Sequence, residues 1–439
     1  MADSPAKTND ARFAAASIGT AAAFLFCGYE FIRTTSNTLF KAPAPTGYGK
    51  DALPYIISIV PFGVLLMLYG YGRLLTRHGP RRTLLLTSLL SGLGIAACYV
   101  AIESGFRPAR GILYVIREAY VVLLVEQYWS FLNSRLGTAA AKSLNGPICG
   151  LGSLGSIAGA KIVALYSQQW GSVSMIALGA AAIVPAALLS DLAYRRCGEP
   201  AAAPAETTAP AVPAAKHDTL ALSLFRSQPL LMLLLLIIFS TQTMAAVLDL
   251  SFQGRLQDAI PAVDAQNAYQ GNFWYEVGLV AAVLQFILCP LLLRILPLTL
   301  VHVIMPLVNL GFCVNAWRNP SLQSIGWAYL SFKVMDYSVF RAAKEILYIP
   351  FSFDVRYRAK EVIDVWGYRF GKGAAGWLIA LLKSPLAFGV MVTDATYAGI
   401  ACAAAGAWLV LITAATRVAD FSPPDVGDEP TRPTNTLAD

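Results

Sequence analysis

The sequence predicts an all-α, polytopic membrane protein with about twelve transmembrane helices in two six-helix bundles. Three observations predict it. The 439 residues are 56% hydrophobic and 13% charged, with a mean hydropathy of +0.57, far from a soluble globular composition. Apolar runs of about 20 residues recur along the chain, the length that carries a helix across a hydrocarbon core of about 30 Å. A polar stretch rich in alanine and proline then divides these runs into two sets of six. Backbone facing lipid must bond to itself, so each run reads as a helix.

Taken in order, the first six runs centre near residues 25, 64, 92, 122, 155 and 182, and the second six near 238, 283, 306, 332, 374 and 405. The first starts near Arg12 and reaches the polar turn at Lys41 without a small-residue cleavage site, so it reads as a retained span rather than a signal peptide. Between the sixth and seventh lies "RRCGEPAAAPAETTAPAVPAAKHD", which has no apolar periodicity and describes an extended, flexible linker. The expected organisation is an N-terminal bundle over 1–194, a cytoplasmic linker over 195–222, a C-terminal bundle over 223–417, and a disordered, acidic, Pro-rich cytoplasmic tail over 418–439. Two bundles of six spans are the arrangement expected of a two-halved secondary transporter.

Short loops set the orientation. Arg73, Arg77, Arg81 and Arg82 follow the second span, and Arg135 and Lys142 the fourth. The linker region carries Arg195, Arg196, Lys216 and Arg226, while Arg356, Arg358 and Lys360 follow the tenth span. All of these loops fall on one side, so both termini are expected in the cytoplasm, with a bacterial inner membrane as the expected location. The net charge of +7 is then a matter of topology, and no nucleic-acid partner is expected.

Several chemistries find no foothold. The seven cysteines stand singly, without a CxxC pair, and read as buried, inert thiols. With only His78, His217 and His302 present, no metal site is expected, and no cofactor. Gly150-Leu-Gly-Ser-Leu-Gly155 matches GxGxxG, but it lies in an apolar span with no strand before it. There is no Gly-x4-Gly-Lys-Ser/Thr and no nucleophile–His–acid pattern, so neither an ATP-hydrolysing pump nor an enzyme is expected.

The informative residues are charges inside the spans. One charge at the bilayer centre costs about 2.5–3.5 kcal/mol on insertion scales, so it must face the bundle interior and find a partner. In the first span, "GYEFIRTTSNTLF" puts Glu30, Arg33 and Asn37 on one helical face. The fourth span carries Arg117, Glu118 and Glu126, and the seventh places Gln242 and Asp249 on a shared face. In the tenth, "SFKVMDYSVFRAAKEILY" aligns Lys333 with Lys344 about three turns on, with Asp336 between them and Glu345 beside. The eleventh adds Asp364, Arg369 and Lys372. Arg33, Asn37, Glu118, Asp249, Lys333, Lys344, Arg369 and Lys372 are the expected substrate contacts; Glu30, Arg117, Glu126, Asp336, Glu345 and Asp364 are expected in gates or ion pairs. A surplus of bases around a wet cavity selects anions, because Arg and Lys pair well with phosphate and carboxylate. Glycines four apart (Gly146 and Gly150, Gly155 and Gly159, and Gly367 and Gly371 followed by Ala375) predict close helix approach.

Two stretches resemble known families. "GRLLTRHGPRR" (72–82) resembles the loop between spans two and three of the major facilitator superfamily, with Thr76 where that pattern has an acid. "KVMDYSVFRAAKEILYIPFSFDVRYRAKEVIDVWGYRFGKGAAG" resembles the most characteristic region of the ATP:ADP antiporter family of nucleotide transporters. The match runs through Tyr337, Ser338, Phe340, Lys344-Glu345, Tyr348-Ile349-Pro350, Lys360, Ile363-Asp364-Val365 and Gly371-Lys372. Arg33-Thr34, Thr38-Leu39, "AKSLNGPICGLGSLGSIAG" and "LDLSFQGRLQDAIP" extend it over most of the membrane region in the same order. The resemblance implies a major-facilitator-like exchanger of nucleoside phosphates, often ATP for ADP, working by alternating access. It implies that Lys372 is the late substrate-linked lysine, that Asp249 stands for a Glu, and that Glu118 is the acid of the fourth span. In the first span the family commonly reads Arg-x-x-Lys-Asp, whereas this chain has Arg33-Thr-Thr-Ser36-Asn37, and Gly373-Ala374 replaces Ser-Gly.

The expected function is therefore a monomeric, secondary-active transporter of an organic anion, with ATP/ADP or another nucleotide as the leading substrate. The departure in the first span keeps a rival in view, a proton-coupled transporter of another solute such as a siderophore, drug or peptide-like metabolite. A third expectation is a transporter-derived sensor or partner-binding membrane protein.

Overall fold

Each of the twelve expected centres lies in a helix of the computed structural model, which describes residues 5–136, 138–199, 225, 228–348 and 362–418. The first set comprises α1 (Pro5–Lys41), α2 (Leu53–Glu103), α3 (Pro108–Arg135), α4 (Thr138–Trp170) and α5 (Ser172–Cys197). The second comprises α6 (Pro229–Ala259), α7 (Val263–Val283), α8 (Cys289–Ile295), α9 (Leu298–Arg318), α10 (Leu322–Met335), α11 (Arg341–Ile346), α12 (Tyr368–Lys383) and α13 (Asp394–Val418). Among the described residues there is no strand. The chain is an all-helical, multi-pass membrane protein.

Helix count and span count differ for physical reasons. At about 1.5 Å per residue, the 51 residues of α2 would reach about 76 Å, more than twice a hydrocarbon core. Gly79, with φ 75° and ψ 172°, breaks it and Pro80 follows, so α2 supplies both the second and third spans. In the second set, π-helical turns at Leu284–Leu288 and Asp336–Phe340 join α7 to α8 and α10 to α11, and Val362–Gly367 leads into α12. Such turns widen a helix locally and are frequent at functional sites. Eight helices are apolar and long enough to qualify as spans by length and composition alone. The spans that fail that test are α3, α10 with α11, and α12, and they carry Arg117, Glu118, Lys333, Lys344, Arg369 and Lys372.

Packing follows two groups. In the first, α1 lies against α3, α4 and α5, and α2 against α3 and α5. Its core draws on residues between 11 and 194, with Tyr120, Phe131, Ile176 and Ile183 buried. In the second, α6 packs on α10, α12 and α13, while α9 packs on α10 and α13, and Phe340 meets Trp408 edge-on at 5.1 Å between ring centres. The two groups meet through α4 on α7, α2 on α12 and α1 on α7.

Glycine spacing marks one of these contacts. A Cβ at Gly155 would stand 2.0 Å from the Ala23 carbonyl oxygen, and one at Gly159 2.5 Å from that of Cys27, so α4 presses backbone to backbone on α1. The preceding pair does not do this. Nothing lies within 4 Å of such a Cβ at Gly146, and at Gly150 only Phe286 comes as near as 3.9 Å. Those two glycines face away from α1, because four-residue spacing fixes a stripe but not how far along the helix its neighbour runs. Cysteine burial is also corrected: Cys98, Cys289 and Cys313 are buried, Cys27, Cys197 and Cys402 are half-buried, and Cys149 is exposed. An apolar run has a lipid side as well as a core side, and both accept a thiol.

Gly155→Ala is expected to destabilise the protein by about 1–3 kcal/mol through backbone overpacking, whereas Gly146→Ala, in open space, gains up to about 1 kcal/mol of helix propensity. Thermal unfolding of the two variants in detergent checks both signs.

Candidate functional site

A cavity of about 460 Å³ is lined by helices of both groups. Clefts of about 300–1,000 Å³ take small-molecule ligands. All the expected substrate contacts reach it: Arg33 and Asn37 from α1, Glu118 from α3, Asp249 from α6, Lys333 from α10, Lys344 from α11, and Arg369 and Lys372 from α12. Arg117, Glu126, Asp336 and Glu345 line it as well. Glu30 is not a lining residue, and Asp364 lies outside the residues whose side chains the structure describes. Seven bases face the cavity against five acids (Arg341 is the base not singled out above).

Fixed contacts begin at Arg117, which is 2% exposed. Its Nη1 donates to the Arg33 carbonyl at 2.8 Å, to Ser36 Oγ at 2.8 Å and to Asn37 Oδ1 at 2.7 Å, which binds α3 to α1. Its guanidinium lies 3.8 Å from the centre of the Tyr114 ring, and its Nη2 is 3.2 Å from Glu118 Oε1. Ser36 and Asn37, the neutral residues of the first span, are thus the acceptors for this buried cation. Arg33 is tied differently. It pairs with Glu30, whose other oxygen accepts from Ser156 Oγ at 2.5 Å, and it stacks 3.5 Å over Trp274 of α7. Trp274 in turn meets Tyr329 edge-on at 5.7 Å, and Phe273 stacks on Tyr329 at 5.4 Å, so an aromatic wall backs this side.

Looser pairs occupy the middle of the cavity. Arg369 Nη1 reaches Glu118 Oε2 at 3.2 Å, a bond between the two groups of helices. Lys372 Nζ is 3.6 Å from Asp249 Oδ2. Lys333 has no carboxylate within 4.0 Å among the described residues; its ammonium is 5.4–5.7 Å from the ring centres of Tyr329, Phe332 and Tyr337.

A buried polar layer lies beside the cavity, one turn of α1 beyond Asn37. Lys41, fully buried, donates to the Gln253 carbonyl at 3.0 Å and to Gln253 Oε1 at 2.7 Å. Gln253 Nε2 donates to Gln270 Oε1 at 3.0 Å, and Asn37 Nδ2 donates to the same oxygen at 3.3 Å. Asn267 Nδ2 donates to Thr35 Oγ1 at 3.0 Å and to Ser167 Oγ at 3.2 Å. Beyond this layer the groups are tied by Lys50 with Asp258, by Lys383 with Asp51 at 2.7 Å, and by the Ser172 N–H donating to Asp264 at 2.7 Å. Sequence reasoning took Lys41 for a polar turn and passed over Gln253 and Gln270. The available signal was amide side chains in spans that otherwise carry apolar residues, since such groups seek partners across helices.

The basic loop gains its acid from elsewhere. Asp191 of α5 accepts from Arg81 at 2.7 Å and from Arg195 at 2.6 Å. Thr76 bonds back to the Gly72 carbonyl. Arg81 of that loop is therefore paired, with its carboxylate on the sixth span rather than at position 76.

With the geometry in place, comparisons with known proteins locate the fold. The TLC ATP/ADP transporter family matches residues 326–418, which include Lys333, Lys344, Arg369 and Lys372. Among curated proteins no sequence matches the chain. Similar solved structures include the D-xylose-proton symporter (TM-score 0.64, 14% identity, covering 90% of this chain and 96% of that one). The nucleoside transporter NupG (0.63, 13%, 93% and 100%) and the POT family transporter PepTSo (0.63, 15%, 93% and 98%) resemble it equally. At these identities the likeness shows the fold alone, an all-helical architecture shared with these three solved transporters.

Asn37→Leu removes an acceptor from buried Arg117 and a donor to Gln270, and is expected to cost about 1–3 kcal/mol. Glu126→Gln, at an exposed side chain, is expected to leave unfolding unchanged. Paired thermal denaturation in one detergent checks the contrast.

Proposed function

We propose that the chain is a secondary-active transporter that moves an organic anion, first among candidates a nucleotide or nucleoside phosphate, by alternating access. The observation that carries this reading is the cavity itself: lined from both groups of helices, holding seven bases against five acids, and walled by aromatic rings. Arg and Lys are good partners for phosphate, and rings such as Trp274 and Tyr329 supply a flat apolar wall. The family match at 326–418 supports a nucleotide, because that stretch provides four of the expected substrate contacts. Its coverage leaves the first span, the fourth and Asp249 to geometry alone.

Roles follow from the contacts. Lys333, Arg369 and Lys372 attract and hold the anion. Glu118 and Asp249 counter those bases while the cavity is empty. Arg33 and Arg117 shape its first-span wall. The positive-inside reading of the loops assigns the Lys50–Asp258 and Lys383–Asp51 ties to the outer face, where they would serve as the external gate while the 1–194 and 223–417 bundles rock about the central site. The multi-pass chain then resides in an inner membrane with both termini in the cytoplasm.

One observation favours the second reading, a proton-coupled transporter of another solute. Glu126, Asp336 and Glu345 face the cavity together with Glu118 and Asp249, which is more carboxylate than anion binding needs. Competition for transport in proteoliposomes by unlabelled nucleotides separates the two.

A ligand that binds only the folded state raises apparent stability by RT ln(1 + [L]/Kd), about 2.7 kcal/mol at 100-fold excess over Kd. ATP or ADP is accordingly expected to raise the unfolding temperature of the purified protein, and Lys372→Ala to abolish that rise. A rise that survives Lys372→Ala removes the anion role of Lys372.

A further inference from the structure

We propose that the chain forms a two-fold dimer through the lipid-facing seam of α4 and α7, in which Lys161 of each copy pairs with Glu276 of the other. These two charges line no part of the cavity. Among the described residues neither has an opposite charge within 4.0 Å, and neither side chain makes a hydrogen bond. Lys161 is half-buried, its ammonium 4.6 Å from the centre of the Tyr275 ring, and Glu276 is exposed.

Both charges lie near mid-depth. Asp264 meets Ser172 where these helices end, so at about 1.5 Å per residue Glu276 stands about 18 Å in from that end. Lys161, in turn, stands about 14 Å in from Trp170, the last residue of α4. The centre of a hydrocarbon core of about 30 Å is about 15 Å from either boundary. Packing holds the two residues level. A Cβ at Gly271 would stand 2.5 Å from the Ala164 nitrogen and one at Gly278 2.8 Å from Ile157 Cγ1, and Glu276 and Lys161 fall between these two contacts.

Their neighbours show which way this face points. Val280 and Val283, one and two turns beyond Glu276, are exposed, as are Leu154 and Leu165 on either side of Lys161. On helices that cross a membrane, such a face meets lipid. A charge at that depth is costly and seeks a partner, and no lipid headgroup reaches it.

Charge complementarity selects the partner. One base and one acid, level with each other but apart, form a patch that is its own complement about a two-fold axis along the membrane normal. Lys161 then meets Glu276 and Glu276 meets Lys161, whereas a membrane helix bearing a single charge would satisfy only half of the patch. Gly146 and Gly150 of α4 lend room rather than specificity, since nothing comes nearer than 3.9 Å to an added Cβ at either. Each pair joins the first group of helices in one copy to the second group in the other. A dimer thus takes the place of the monomer expected from the sequence.

Single-molecule photobleaching of the full chain, with one fluorophore per copy and diluted into liposomes, tests this. Two-step bleaching is expected for the wild type, and Glu276→Gln and Lys161→Gln are each expected to weaken dimerisation by about fivefold or more, because each removes both pairs. Lys161→Glu is expected to abolish the dimer, and Lys161→Glu combined with Glu276→Lys to restore it. Single-step bleaching of the wild type at every density overturns the proposal. So does a folded Glu276→Gln that dimerises as the wild type does, or a double exchange no better than Lys161→Glu alone. Where a charge variant does not fold, Val283→Trp, a bulky change on the same lipid face, is read in its place, and an unchanged dimer again overturns the interface.

Discussion

Arg117 is the contact on which the rest of the cavity depends. A guanidinium buried to this extent inside a lipid-covered bundle is tolerated only when acceptors surround it. The structure supplies them from one turn of α1, through the Arg33 carbonyl, Ser36 and Asn37. Those bonds fix α1 against α3, and with it Arg33 over Trp274 and Asn37 on Gln270. Remove Arg117, and the first span loses its polar tie to α3 beside the cavity. The close α1–α4 packing at Gly155 and Gly159 holds the same helix from another side.

Contacts in the site divide by length and by neighbour. Short, buried bonds hold the first-span wall and the polar layer around Lys41, Gln253 and Gln270. Longer ion pairs at Arg369 and Lys372 face the void. A carrier needs both kinds, because a site made only of short bonds would have no place for substrate, and one made only of loose pairs would not keep its shape. The π-helical turns at Asp336–Phe340 and Val362–Gly367 belong to the same division, as they stand on the two helices that present Lys333, Lys344, Arg369 and Lys372. An irregular turn there is tolerable because protein and cavity, rather than lipid, surround it.

Legibility in the sequence tracked chemistry more than length. Charges in apolar runs are costly enough that Arg33, Glu118, Asp249, Lys333 and Lys372 stood out, and helical spacing placed them on inward faces that meet in one cavity. The same charges hid three spans from a hydropathy criterion, since α3, α10 and α12 lose apolar residues in proportion to what they give the site. What escaped was pairing. Nothing in the local pattern shows that Asp191 serves Arg81 across more than a hundred residues, or that Lys41 ends on Gln253. Gln253 and Gln270 escaped as well, because the partners that give them their role, Lys41 and each other, stand on other helices. Cys149 and Gly146 were misread for a related reason: periodicity reveals a stripe, and a stripe on a membrane helix can face lipid.

Geometry also changes the meaning of the first-span departure. Where the ATP:ADP antiporter family commonly has Lys-Asp, this chain has Ser36-Asn37, and the sequence alone suggests that a phosphate-attracting base is lost. An acid disappears with it, so the exchange is neutral overall. Ser36 and Asn37 still accept from Arg117, but neither cancels its charge. The positive charge of Arg117 therefore remains to act on Glu118, and through Glu118 on Arg369. In a cavity lined by more bases than acids, hydroxyl and amide at these two positions leave the charge of Arg117 on the α3 side, next to the Glu118–Arg369 pair that joins α3 to α12.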